Sequence, residues 1–186
     1  MFIILTKNIR EKGRSNVKTG KLTLTAMLLS VSFALSLIES FVPINALIPL
    51  PGLKLGFANL AVMTAYILCD KVCALCVSLL RPVLMLFLFG NVTSFVLSIS
   101  GAVLAYFGLV ASVRLYERVF SFGGVSVICA LLHSVGQIIA ASFVVSDGAV
   151  FAYLPLLCAA SGITGLLNGF IMNAVISRIG SIRRFV

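Results

Sequence analysis

LTLTAMLLSVSFALSLIESFV, residues 22–42, is an apolar run that carries a single charge, Glu39. Wound as an α-helix at about 1.5 Å per residue, a run of this length crosses the roughly 30 Å hydrocarbon core of a bilayer. The same pattern recurs at 55–68, 72–89, 92–113, 123–145 and 150–177, with short charged or turn-forming punctuation between the blocks. The expected fold is therefore all-α: a polytopic bundle of six transmembrane helices. Residues 1–21 read as a basic cytoplasmic leader and 22–186 as the transmembrane domain.

Composition points the same way. Hydrophobic residues make up 61% of the 186 positions and charged residues 10%, with a mean hydropathy of +1.19. A water-soluble core of this size cannot absorb so much apolar surface, so the bilayer must take it, and the cell membrane is the expected location. The net charge of +9 sits largely in Lys7, Arg10, Lys12, Arg14, Lys18 and Lys21, ahead of the first apolar block. That placement reads as topology, with anionic lipid headgroups as the partner and no nucleic acid. Lys71, the Arg114/Arg118 pair and the tail with Arg178, Arg183 and Arg184 fall on one side, while Lys54 falls on the other. Both termini are expected in the cytoplasm. The run 22–42 is too long for a signal peptide and lacks a small-residue cleavage site after it, so it reads as a retained helix.

Two further patterns concern packing. The second block is short for a crossing, and the stretch before it, PINALIPLPGLKLG at 43–56, has the proline and glycine content of irregular backbone. Such backbone is tolerated at membrane depth only when it is buried in protein or lines a cavity, so this connection is either an ordinary outer loop or a lid over a site. Small residues recur every fourth position at Ala26, Ser30 and Ala34 and again at Ser161, Gly165 and Gly169. On a helix these form flat stripes that admit another helix, from within the chain or from a partner subunit.

Candidate site residues are the polar exceptions inside the blocks, because a charge near the bilayer centre is costly unless it faces protein or water. Arg81, just before Pro82, cannot shed its charge and needs an anion, either Glu39 or a bound carboxylate or phosphate. His133 and Gln137 share one helix face at i, i+4 and can tie helices together or line a pocket. Asn59 and Asn91 add amides near the outer side, and Lys54 a second cation. The substrate-binding set is thus Glu39, Lys54, Asn59, Arg81, Asn91, His133 and Gln137. Of the five cysteines, Cys69, Cys73 and Cys76 have the spacing of an iron–sulfur run, but two of the three lie in an apolar helix, where small-residue packing is the expected role.

Catalysis by this chain alone is not expected. Its five acids are isolated, so no carboxylate cluster exists to hold magnesium on a diphosphate, and there is no phosphate-binding glycine-rich loop. A lone histidine makes a poor metal site, and neither a haem nor a flavin attachment signal is present, so no cofactor or metal is expected.

The motifs Gly52-Leu-Lys-Leu-Gly-Phe-Ala-Asn59, Ser78-Leu-Leu-Arg81, Leu88-Phe-Gly90-Asn91, His133-Ser-Val-Gly-Gln137, Tyr153-Leu-Pro155 and Ser161-Gly-Ile-Thr-Gly165 occur together in order. In these the chain resembles the Gx transporter family, also catalogued as heptaprenyl diphosphate synthase component I, over about residues 22–178. That family is similar to the substrate-binding S-components of energy-coupling factor transporters. The resemblance implies uptake of a small molecule together with a membrane coupling subunit and ATPase subunits, and Arg81 and Lys54 would pair an anionic group on that molecule. It also implies a docking role for Ala26, Ser30 and Ala34, and a lid at 49–54. The alternative it carries is a non-catalytic accessory subunit of a prenyl diphosphate synthase, since the aspartate-rich motif of such enzymes is missing.

Overall fold

The computed structural model describes residues 2–41, 56–115 and 122–182. They form six α-helices: α1 Phe2–Phe41, α2 Asn59–Leu68, α3 Lys71–Phe89, α4 Val92–Leu115, α5 Phe122–Val145 and α6 Leu154–Ile182, with a 3-10 turn, Gly148–Tyr153, before α6. Five helical stretches are long and apolar enough to cross a membrane, so this is an all-α, multi-pass membrane protein. The basic leader is helical from Phe2 onward and runs without a break into the first apolar block.

The second apolar block, expected to be short for a crossing, is helical from Asn59: α2 has 10 residues, which is about 15 Å, half the hydrocarbon thickness. Its start is set by Gly56, whose φ of +90° is open to glycine and strained for other residues. Two tight turns follow, Asn59 N–H to Gly56 O and Leu60 N–H to Phe57 O, both 3.1 Å, and they satisfy donors that a helix start otherwise leaves bare.

Among the described residues the five long helices stand in an arc, α1, α3, α4, α5, α6, each touching its neighbours in that order. The arc is open between α6 and α1, and α2 lies inside it, in contact with all five. Two apolar clusters form the core. Leu97, Ile138, Ala141 and Leu157 belong to one, and Val62, Val77, Leu109, Val125 and Met172 to the other. Along α4, α5 and α6 the residues between these clusters include Ser98, His133, Ser134, Gln137, Ser161 and Asn168, all buried. A polar layer thus divides the core halfway along the bundle.

Helix ends follow from local chemistry. Gly90, at φ +63°, closes α3 with its N–H on Leu86 O at 2.7 Å. Next to it Asn91 opens α4, its Oδ1 accepting from Ser94 N–H at 2.9 Å. Asp147 does the same for the 3-10 turn through Ala149 N–H at 2.8 Å. Asp70 caps α3 through Cys73 N–H at 2.9 Å and pairs with Lys21 at 3.2 Å. The Cys73 hydrogen bonds, with Lys21 as a lesser contributor, hold the Asp70 carboxyl down at about 2, against an ordinary 3.8. A depressed carboxylate contributes stability above its unfolded value and loses it as pH falls through the folded one. Asp70 should therefore withdraw its contribution between pH 3.8 and about 2. Asp70→Asn is expected to flatten that part of a melting-temperature-versus-pH curve in detergent; an unchanged curve would refute the cap.

Candidate functional site

The start of α2 places three consecutive residues of non-helical backbone, Gly56, Phe57 and Ala58, among buried side chains from three other helices, α1, α5 and α6. Each contact has a distinct cause. Phe57 N–H, an orphan donor at the positive end of α2, gives its hydrogen bond to Glu39 Oε1 on α1. Ser32, two turns earlier on α1, donates to Ala58 O at 3.3 Å. From α6, Asn168 Nδ2 donates to Gly56 O at 3.3 Å. The His133 ring of α5 lies against Gly56, whose Cβ, if it had one, would stand 3.5 Å from His133 Cδ2.

His133 is held from the other side by Gly101 of α4. A Cβ there would come within 2.9 Å of His133 Cε1 and Nδ1, so the ring occupies the space a side chain would need. Histidine and glycine are matched across the α4–α5 contact. Ser134, next to His133, shares a short hydroxyl contact with Ser161 of α6. Gln137 is fully buried one turn along the same helix.

Arg81, on α3, is 3% exposed, and Glu39 is likewise 3% exposed. Glu39 is the carboxylate whose charge acts on Arg81, although no direct ion pair joins them within 4 Å. α3 stays helical through Pro82. Proline has no N–H to give the carbonyl of Ser78. The Ser78 hydroxyl turns away to Ala102 O on α4, 3.2 Å distant.

Of the seven expected site residues, Glu39, Asn59 and His133 meet at Gly56 and Phe57, Arg81 lies within the field of Glu39, and Gln137 extends the His133 face. Asn91 is elsewhere: it is exposed at the α3–α4 turn, with its side-chain oxygen engaged as a helix cap. Lys54 and the lid at 49–54 lie outside the described residues. The residue absent from the expected set is Asn168. Its signal was its place three residues after Gly165 and seven after Ser161, on the face of α6 that the small-residue stripe marks as packed.

Next to Asn59 is a cavity of about 10 Å³, the room of one water, with Met63, Ser78, Ala102, Tyr106 and Ser126 also on its wall. The cysteines do not assemble: Cys69 ends α2, Cys73 lies in the first turn of α3 and Cys76 is exposed. Among the described residues no three metal-ligating side chains gather. The Ala26, Ser30 and Ala34 stripe is exposed along α1. The Ser161, Gly165 and Gly169 stripe is buried against α5.

A family model described as heptaprenyl diphosphate synthase component I matches residues 28–175, a stretch that holds α2 through α5 entire and the membrane part of α6. No curated protein matches, and no solved structure matches. Every residue named at the start of α2 falls within the matched region, and the chain belongs to the heptaprenyl diphosphate synthase component I family.

Proposed function

We propose that the chain is a membrane-embedded substrate-binding subunit. It takes a small molecule from outside the cell and works with a separate coupling subunit and ATPase subunits, as the S-components of energy-coupling factor transporters do. In this reading both termini are cytoplasmic, the protein resides in the cell membrane, and the bundle crosses it six times. The observation that carries it is the buried polar layer around a broken helix start. Ionisable side chains at membrane depth mark functional sites by default, and interrupted helices frame the sites of many transporters. Glu39, Lys54, Asn59, Arg81, His133 and Gln137 recognise the ligand.

The exposed Ala26, Ser30 and Ala34 stripe supports the docking half of the proposal. Ser30 turns its hydroxyl back to Ala26 O at 3.0 Å, which leaves the stripe flat and without a free donor. The test is native mass spectrometry of the detergent-extracted protein, which is expected to carry a small molecule. Arg81→Ala should weaken affinity for that molecule at least tenfold, and undiminished affinity would remove Arg81 from the pocket.

A second reading is favoured by the family description itself: a non-catalytic membrane accessory that serves a prenyl diphosphate synthase. Co-purification separates the two. ATPase subunits retained on the tagged chain support transport, and a soluble prenyl synthase retained instead supports the accessory role.

A further inference from the structure

Resting on the ligand-binding reading above, we propose that the ligand group seated at the start of α2 is neutral and presents an acceptor beside a donor, as a carboxamide or lactam edge does. This departs from the anion that Arg81 and Lys54 suggest in the sequence.

The place for an anion is already taken. A helix start attracts negative charge at its first N–H groups, and here that position holds Glu39, hydrogen-bonded to Phe57 N–H. The charge of the same carboxylate also acts on Arg81. An incoming carboxylate or phosphate would meet Glu39, and an incoming cation would meet Arg81.

Among the buried side-chain atoms that lack a hydrogen bond, two of opposite kind stand beside Gly56. Asn59 Nδ2, a donor, and Asn168 Oδ1, an acceptor, are buried without a hydrogen bond. Both carboxamides flank one residue. A Cβ on Gly56 would meet Asn59 Nδ2 at 3.1 Å, and Asn168 Nδ2 is committed to Gly56 O at 3.3 Å. That commitment fixes the orientation of the Asn168 amide, so its Oδ1 cannot exchange places with a donor. Asn168 is 2% exposed, beyond the reach of bulk water. A group that accepts from Asn59 and donates to Asn168 completes both, whereas an ionised anion has no proton for Asn168. Sites built this way discriminate strongly against analogues that lack the matching hydrogen-bond group.

The probes are 2-pyrrolidinone, acetate and inorganic phosphate, each titrated into the purified full chain in detergent at matched ionic strength while thermal unfolding is followed. 2-Pyrrolidinone is expected to raise the melting temperature saturably, and the two anions are not. Asn168→Leu should raise the half-saturating concentration at least tenfold, and Asn173→Leu, exposed on the same helix, should not. Should Asn168→Leu fail to fold, Asn59→Ala removes the opposing donor without adding bulk and is expected to give the same loss. Stabilisation by acetate or phosphate in place of the lactam overturns the neutral seat while the substrate-binding reading stands. No response to any probe, or an unchanged lactam response in both asparagine variants, also overturns it, and a molecule co-purified in native mass spectrometry would still uphold that reading.

Discussion

Gly165→Ala is expected to destabilise the protein by about 1–3 kcal/mol, the usual penalty for forcing a methyl into a packed interior. Gly162→Ala, three residues away on α6, is expected to leave stability unchanged or slightly raised. The added Cβ at 165 would stand 2.7 Å from Val127 Cα on α5, and one at Gly169 would stand 2.4 Å from Gly123 Cα. Backbone atoms cannot rotate aside, so α5 and α6 must separate and lose dispersion along the whole contact. In a bilayer that loss is not offset by a hydrophobic drive, because lipid tails are as apolar as the side chains they would replace. At Gly162 the added carbon meets nothing within 4 Å, and alanine is the better helix former by roughly 0.8–1 kcal/mol. Gly136→Ala should behave like Gly165→Ala from the opposite side of α5, since its Cβ would lie 2.7 Å from Ser100 O on α4. Denaturant unfolding in mixed micelles measures all three. A Gly165→Ala protein as stable as Gly162→Ala would show that the close approach of α5 and α6 is not what holds α6 in place.

These glycines also show how far the fold can be read from residues alone. The Ser161, Gly165, Gly169 period marks a packed face by itself, because small residues every fourth position have that consequence on any membrane helix. The five long helices are legible for a similar reason: hydrocarbon thickness imposes a length that no local detail alters. α2 is less legible. Apolar residues occur on both sides of Gly56, and the helix start depends on Gly56 adopting a positive φ that only the surrounding side chains require. The proline and glycine content just before it signals irregular backbone but not where the helix resumes.

The candidate site is legible to the same degree. Buried charge identifies Glu39 and Arg81, since membrane interiors hold few such residues without purpose. Asn91 looks equally polar in sequence, yet an asparagine three residues before a backbone N–H it can cap has a purely local use, and Gly90 before it completes a helix stop and start. Asp70 and Asp147 have the same use. The acids stand apart from one another in the sequence because three of them, Glu39 included, serve separate helix beginnings.

Glu39→Ala is expected to have the largest effect of any single substitution in the polar layer, about 3–5 kcal/mol, the range for stranding one member of a buried charge pair. Two described groups depend on the carboxylate. It accepts from Phe57 N–H, and its negative charge acts on Arg81 at a position with 3% exposure. Without it the guanidinium remains, because arginine does not deprotonate in proteins, and it must draw in water or a lipid headgroup by distorting α3. Glu39→Gln separates the two roles: the amide oxygen still accepts from Phe57 N–H while the charge is gone, so its cost should fall between wild type and Glu39→Ala. Adding Arg81→Met to Glu39→Gln then removes the stranded cation and is expected to recover most of the loss, since a buried pair replaced as a unit by uncharged groups is often neutral. The double-mutant cycle, read by reversible unfolding in mixed micelles, reports the coupling directly. A cycle in which the two substitutions simply add would mean that Glu39 and Arg81 are stabilised separately, and the charge balance at the start of α2 would not exist.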